Sequence, residues 1–150
     1  MNAVGRTWAV RAVFATIALH VIAGMLLPVI VNLPLLDDYH HDIATAFWGP
    51  AAVPVEALAL QRWWMALFGP TVQAAAVWMG ALAWIGARHR LPFAWGALVA
   101  GLLLWAPQDI VISLRAGAWR HVWLDALALA GMLPPLAYLV YVDRKKGFPC

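Results

Sequence analysis

The stretch AVFATIALHVIAGMLLPVIV, residues 12–31, contains no charged side chain. At a rise of about 1.5 Å per residue, roughly 20 apolar residues make a helix that matches the ~30 Å hydrocarbon core of a bilayer. Arg6 and Arg11 precede the run, as they would in a secretory signal. The apolar core of a signal peptide is only about 7–15 residues, however, so the longer run reads as a retained first span over 8–31. Asn32, Leu33 and Pro34 close it, because the residue before a proline is pushed out of helical geometry.

Three more runs follow the same logic, at 65–87, 91–114 and 119–142. The second is preceded by a mixed segment, 55–68, that includes Glu56, Gln61, Arg62, Trp63 and Trp64. Such a mixture suits a surface helix or the outer end of a span, and paired tryptophans favour the headgroup level. Gly69-Pro70 predicts a break or kink where this segment meets the clean apolar run. Pro92 is placed for the first turn of the third span, and Pro107-Gln108-Asp109 interrupts its second half. Pro134-Pro135 predicts a kink in the fourth. The fold expected is all-α: a polytopic membrane protein, a four-transmembrane-helix bundle forming one domain over 1–150. An interfacial or re-entrant segment is expected between the first two spans.

Composition excludes the main alternatives. Of 150 residues, 65% are hydrophobic and 11% charged, against about 25% charged in soluble domains. The mean hydropathy is +0.78. A sequence pI near 9.5 would suit a nucleic-acid partner, but the basic residues mark the ends of apolar runs and form no patch. Their distribution sets an orientation instead. Arg6, Arg11, Arg88, Arg90, Arg144, Lys145 and Lys146 fall on one side with only Asp143, whereas Arg62, Arg115 and Arg120 fall on the other with six acids. The positive-inside rule then places both termini in the cytoplasm, and the short loops suit a bacterial inner membrane. The lone Cys150 can form no intramolecular disulfide and, as the last residue, is not a prenylation site.

Chemistry is sparse in this sequence. Asp109 lies six residues before Arg115 and Asp125 six residues after Trp119. On antiparallel neighbours both acids would sit about 9 Å inside the same membrane edge. An intramembrane aspartate costs up to about 3.5 kcal/mol at the bilayer centre, so it normally faces a partner or a cavity. The two therefore mark a candidate outward-facing pocket, with Gln108, Arg115, Arg120, His121 and Gln73 able to supply counter-charges and hydrogen bonds. The bland alternative is an Asp–Arg network that pins two helices together.

A second candidate is the stretch DDYHHD at 37–42. If helical, it places Asp38 on one face with His41 and Asp42, a spacing that can hold a divalent metal; the bland reading is a solvated loop. His20, alone at mid-span, reads as a hydrogen-bonding residue across a helix interface rather than a haem ligand. No other cofactor is expected, and no motif specifies a reaction. Small residues such as Gly80, Gly96, Ala100, Gly101 and Gly131 allow close helix approach. Trp8, Trp48, Trp63, Trp64, Trp119 and Trp123 read as an aromatic belt, with Trp78, Trp84, Trp95 and Trp105 deeper.

With polar groups confined to the outer half and the inner half apolar, a through-pore acting alone is disfavoured. The expected function is an accessory or assembly subunit of a larger membrane complex, with membrane lipids and either other membrane subunits or further copies of itself as partners. The alternative is a binding protein, or an enzyme using the acids as acid and base, with a pocket at Asp109 and Asp125 for a lipophilic or cationic small molecule.

Overall fold

The computed structural model describes residues 3–49 and 51–145; Lys146 and Cys150 lie outside the described residues. Among these there are five α-helices and no strand: α1 (Ala3–Ile30), α2 (Asp37–Trp48), α3 (Val55–His89), α4 (Pro92–Ala116) and α5 (Trp119–Arg144). A single 3₁₀ turn, Pro34–Leu36, leads into α2. Helices α1, α3, α4 and α5 are each long and apolar enough to cross a membrane. They form a bundle in which α1 packs on α3 and α5, and α4 closes the ring against the same two helices. The expected all-α, four-span architecture is present. Its interfacial element is α2, a helix of 12 residues that touches the start of α5.

Asn32, Leu33 and Pro34 follow the end of α1 as expected, whereas no proline within a span ends its helix. Pro28, Pro70, Pro107, Pro134 and Pro135 all lie inside continuous helices. Neighbouring helices and side chains can absorb the freed backbone groups in a membrane setting. Gly69-Pro70 is the clearest departure from expectation. Gly69 is buried where α3 crosses α1, and a Cβ there would lie 2.6 Å from the Gly24 carbonyl oxygen and 2.7 Å from Pro28 Cδ. A Cβ on Gly24 would likewise lie 2.6 Å from the Gly69 carbonyl oxygen. The glycine serves a backbone-to-backbone crossing, not a break. The mixed segment 55–68 is therefore the first part of α3. With 35 residues, this helix is about 52 Å long, well beyond the ~30 Å core.

The core of the bundle is apolar, with Val13, Ala76, Ala83, Trp95, Met132, Leu136 and Leu139 at 1% exposure or less. His20 does not bridge helices. Its Nδ1–H donates to the Thr16 carbonyl of its own helix at 2.7 Å, where the acceptor four residues earlier is already within reach. Trp8, Trp63, Trp64, Trp84, Trp119 and Trp123 are exposed toward helix ends, and Trp78 is exposed within α3, as lipid-facing side chains would be.

The end that carries the termini is not apolar throughout, contrary to expectation. The Asp143 side chain is fully buried, and Arg6 grips both of its oxygens at 2.9 and 3.0 Å. Trp95 Nε1–H donates to the same carboxylate at 3.0 Å. Arg6 also reaches the Ala87 carbonyl at 3.2 Å, and Arg90, in a left-handed backbone conformation at the end of α3, stands 4.0 Å from Asp143. One carboxylate thus ties all four long helices together.

Candidate functional site

The opposite end is organised by the turn between α4 and α5. Gly117 adopts φ +75°, a left-handed conformation that glycine takes at little cost. The Ala118 amide then donates to the Ser113 carbonyl at 2.9 Å. This tight reversal sets the last two turns of α4 antiparallel to the first two of α5. Asp109 on α4 therefore faces His121 and Asp125 on α5, the latter pair one turn apart.

Asp109, His121 and Asp125 each offer a ligand atom, and these atoms all lie within 4.8 Å of one another. His121 Nε2 is 3.5 Å from Asp109 Oδ1 and 3.9 Å from Asp125 Oδ1. Both distances exceed the ~2.7–2.9 Å of a charge-assisted hydrogen bond. The Asp109 and His121 side chains are about one quarter exposed, whereas Asp125 is 5% exposed. Asp125 Oδ2 is buried with no hydrogen-bond partner. A buried carboxylate oxygen left without a donor is costly.

Helix α2 supplies the remaining wall. Tyr39 hydroxyl lies 3.0 Å from His121 Nδ1, so it fixes the imidazole from the side away from the acids. Burial pushes the Tyr39 phenol up from its ordinary range, and the charges of Asp125 and Asp109 act in the same direction. His40 anchors α2. Its Nε2–H donates to the Val31 carbonyl at 2.8 Å, and its Nδ1 accepts from Gln61 at 3.1 Å. Beside the cluster, an open groove of about 440 Å³ runs between α2 and α3, lined by Tyr39, Ile43, Phe47, Leu60 and Trp64 among others. Tyr39 is shared between groove and cluster.

The sequence-derived candidates are distributed as follows. Asp109, Asp125 and His121 come together. Arg120 turns away from them to pair with Asp42 and, at 3.7 Å, with Asp38. Gln108 is exposed and donates to the Leu104 carbonyl of its own helix, Arg115 is exposed in the last turn of α4, and Gln73 packs beside Gly24. Asp38 and Asp42 are occupied by Arg120, and His41 is exposed. The structure does not bring those three together as a ligand cluster among the described residues. Tyr39 and His40 went unrecognised as contributors. Nothing in the DDYHHD stretch sets them apart from their neighbours, because the partner of Tyr39, His121, is on α5 and a partner of His40, Val31, is in the turn after α1.

No protein-family model matches this chain, and no curated protein or solved structure matches it either. The functional reading rests on the geometry above.

Proposed function

We propose that the chain is a multi-pass protein of a bacterial inner membrane, with both termini in the cytoplasm, that binds a cationic ligand at its outward end. One observation carries this reading: the buried Asp125 carboxylate has an oxygen with no donor and faces Asp109 across His121. Two acids held this close repel each other while both are ionised, and either a proton on one of them or a cation between them relieves the repulsion. The only basic side chain of the cluster is a histidine at long range, and the nearby Arg120 is committed to Asp42 and Asp38. Partial exposure of Asp109 and His121 leaves the site reachable from solvent. The orientation follows from the basic residues gathered at the opposite end.

Native mass spectrometry of protein gently extracted from its own membrane tests the reading. A discrete bound mass that disappears in Asp125→Asn supports it. Apo protein throughout, with no cation bound on titration, rejects it.

A second reading, the accessory subunit, is favoured by α4. The interior glycines Gly24, Gly69 and Gly86 have no room for a Cβ, yet Gly96 and Gly101 have nothing within 4 Å of one. Small residues facing outward in this way suit a further membrane helix. Stoichiometric co-purification of another membrane subunit in the same experiment supports that role.

A further inference from the structure

We infer that the cation is a divalent transition metal of the zinc class, coordinated by Asp109, His121 and Asp125. This rests on the cation-binding reading and goes beyond it, because an organic ammonium would need only the negative charge. Metal–ligand bonds of ~2.0–2.1 Å in a tetrahedron place the ligand atoms about 3.3–3.4 Å apart. The His121 Nε2 to Asp109 Oδ1 distance of 3.5 Å is close to that edge, and the 3.9 Å to Asp125 Oδ1 needs a contraction of about half an ångström. The imidazole stands farther from each carboxylate than a charge-assisted hydrogen bond, and the three ligand atoms, all within 4.8 Å of one another, are grouped closely enough to share an ion after a small contraction.

The imidazole is prepared for the same task. Metal-bound histidines hold their second ring nitrogen to a hydrogen-bond acceptor, which orients the ring and leaves the ligating lone pair free. Tyr39 hydroxyl lies 3.0 Å from His121 Nδ1, and in the tautomer in which Nδ1–H donates to that oxygen, Nε2 presents its lone pair toward the two carboxylates. Two carboxylates and one imidazole carry a formal charge of −2, which a divalent ion cancels. The mixed nitrogen and oxygen donors suit zinc and its first-row neighbours better than magnesium or calcium, which prefer oxygen alone. Three protein ligands leave a fourth position for water or for an anionic group of a further ligand. The unpartnered Asp125 Oδ2 is the independent sign that this carboxylate is placed for something other than the protein's own donors. Asp125 is also the most buried of the three groups.

The test uses the full chain in lipid nanodiscs, stripped with a chelator and titrated with Zn²⁺ and Co²⁺. One equivalent of zinc per chain is expected, with cobalt giving the intense visible bands of four-coordination. Asp125→Asn and His121→Gln should each weaken zinc by about 100-fold or more, and Tyr39→Phe by about 10-fold, since it removes only the orienting hydrogen bond. Asp109→Asn, at a quarter-exposed position, gives the same loss with less risk to folding. Asp38→Asn should leave affinity unchanged. Absence of stoichiometric binding, or binding that survives Asp125→Asn or depends on Asp38, overturns the inference. A parallel titration with dodecyltrimethylammonium separates the two levels. If this cation binds in an Asp125-dependent way and zinc does not, the metal is refuted and the cation pocket stands; if neither binds, both fall.

Discussion

Helix α5 carries a buried aspartate near each end, 3% exposed at Asp143 and 4% at Asp125. The two are about 27 Å apart along the helix axis, and they are held in opposite ways. Asp143 has both oxygens gripped by Arg6, accepts a third hydrogen bond from Trp95, and has Arg90 nearby. Asp125 has a distant histidine, a second acid, and one oxygen with no donor. Burial alone would class them together. What separates them is satisfaction: the charge with every acceptor matched serves the fold, and the one left unmatched is what supports the proposed ligand site. The surroundings agree with that division. Around Asp143 the fit is tight, and a Cβ on Gly86 would lie 2.7 Å from the Trp95 ring. Around Asp125 the neighbours are partly exposed, and an open groove adjoins them.

The largest expected effect is at the satisfied end. Asp143→Ala leaves the mostly buried Arg6 without its carboxylate partner and frees the Trp95 N–H, and breaking a buried pair typically costs about 3–5 kcal/mol. Unfolding in mixed micelles, followed by circular dichroism, should show that loss. An effect below about 1 kcal/mol would mean the ionic cluster is not what closes this end of the bundle.

Asp125→Asn should behave in the opposite direction. In metal-free protein the substitution removes a buried negative charge with an orphaned oxygen, so stability should stay level or rise by about 1 kcal/mol. The same unfolding assay decides it. A loss comparable to that of Asp143→Ala would make Asp125 a second clasp, paired to a protonated His121, and would erase the distinction between the two ends.

The difference between the ends also explains what could be read from sequence. Length and apolarity report directly on span number, so the four spans and the interfacial helix were legible from runs such as 12–31. The meeting of Asp109 and Asp125 was legible, with His121 one of five side chains named beside them, because a short turn fixes the relative depth of residues on the two helices it joins. Asp143 was not. It stands beside Arg144 and Lys145, where it reads as part of a charged tail, and its partners Arg6 and Trp95 are 137 and 48 residues away. Asp38, His41 and Asp42 illustrate the complementary failure. Helical spacing correctly groups side chains on one face, but it does not say whether that face looks at a metal, at Arg120 or at solvent. Gly69 shows a third limit, because a glycine before a proline reads as a break in one dimension and as a helix crossing in three.

The smallest effect tests whether ion pairs between α5 and α2 pin this end of the bundle. Arg120 is the side chain through which such pinning would act, since it joins α5 to Asp42 and Asp38 on α2. Arg120 is about half exposed, and Asp38 almost fully so. Exposed ion pairs gain little because water screens the attraction and ordering two long side chains costs entropy. Helix α2 has a stronger anchor in buried His40, bonded to the Val31 carbonyl and to Gln61. Arg120→Ala should therefore leave the unfolding transition within experimental scatter and the zinc stoichiometry unchanged. A clear loss of stability would show that the ion pairs, rather than His40, hold α2 in place. The α2 end would then be a structural clasp like the one at Asp143, with its unmatched oxygen a cost of packing rather than the sign of a ligand.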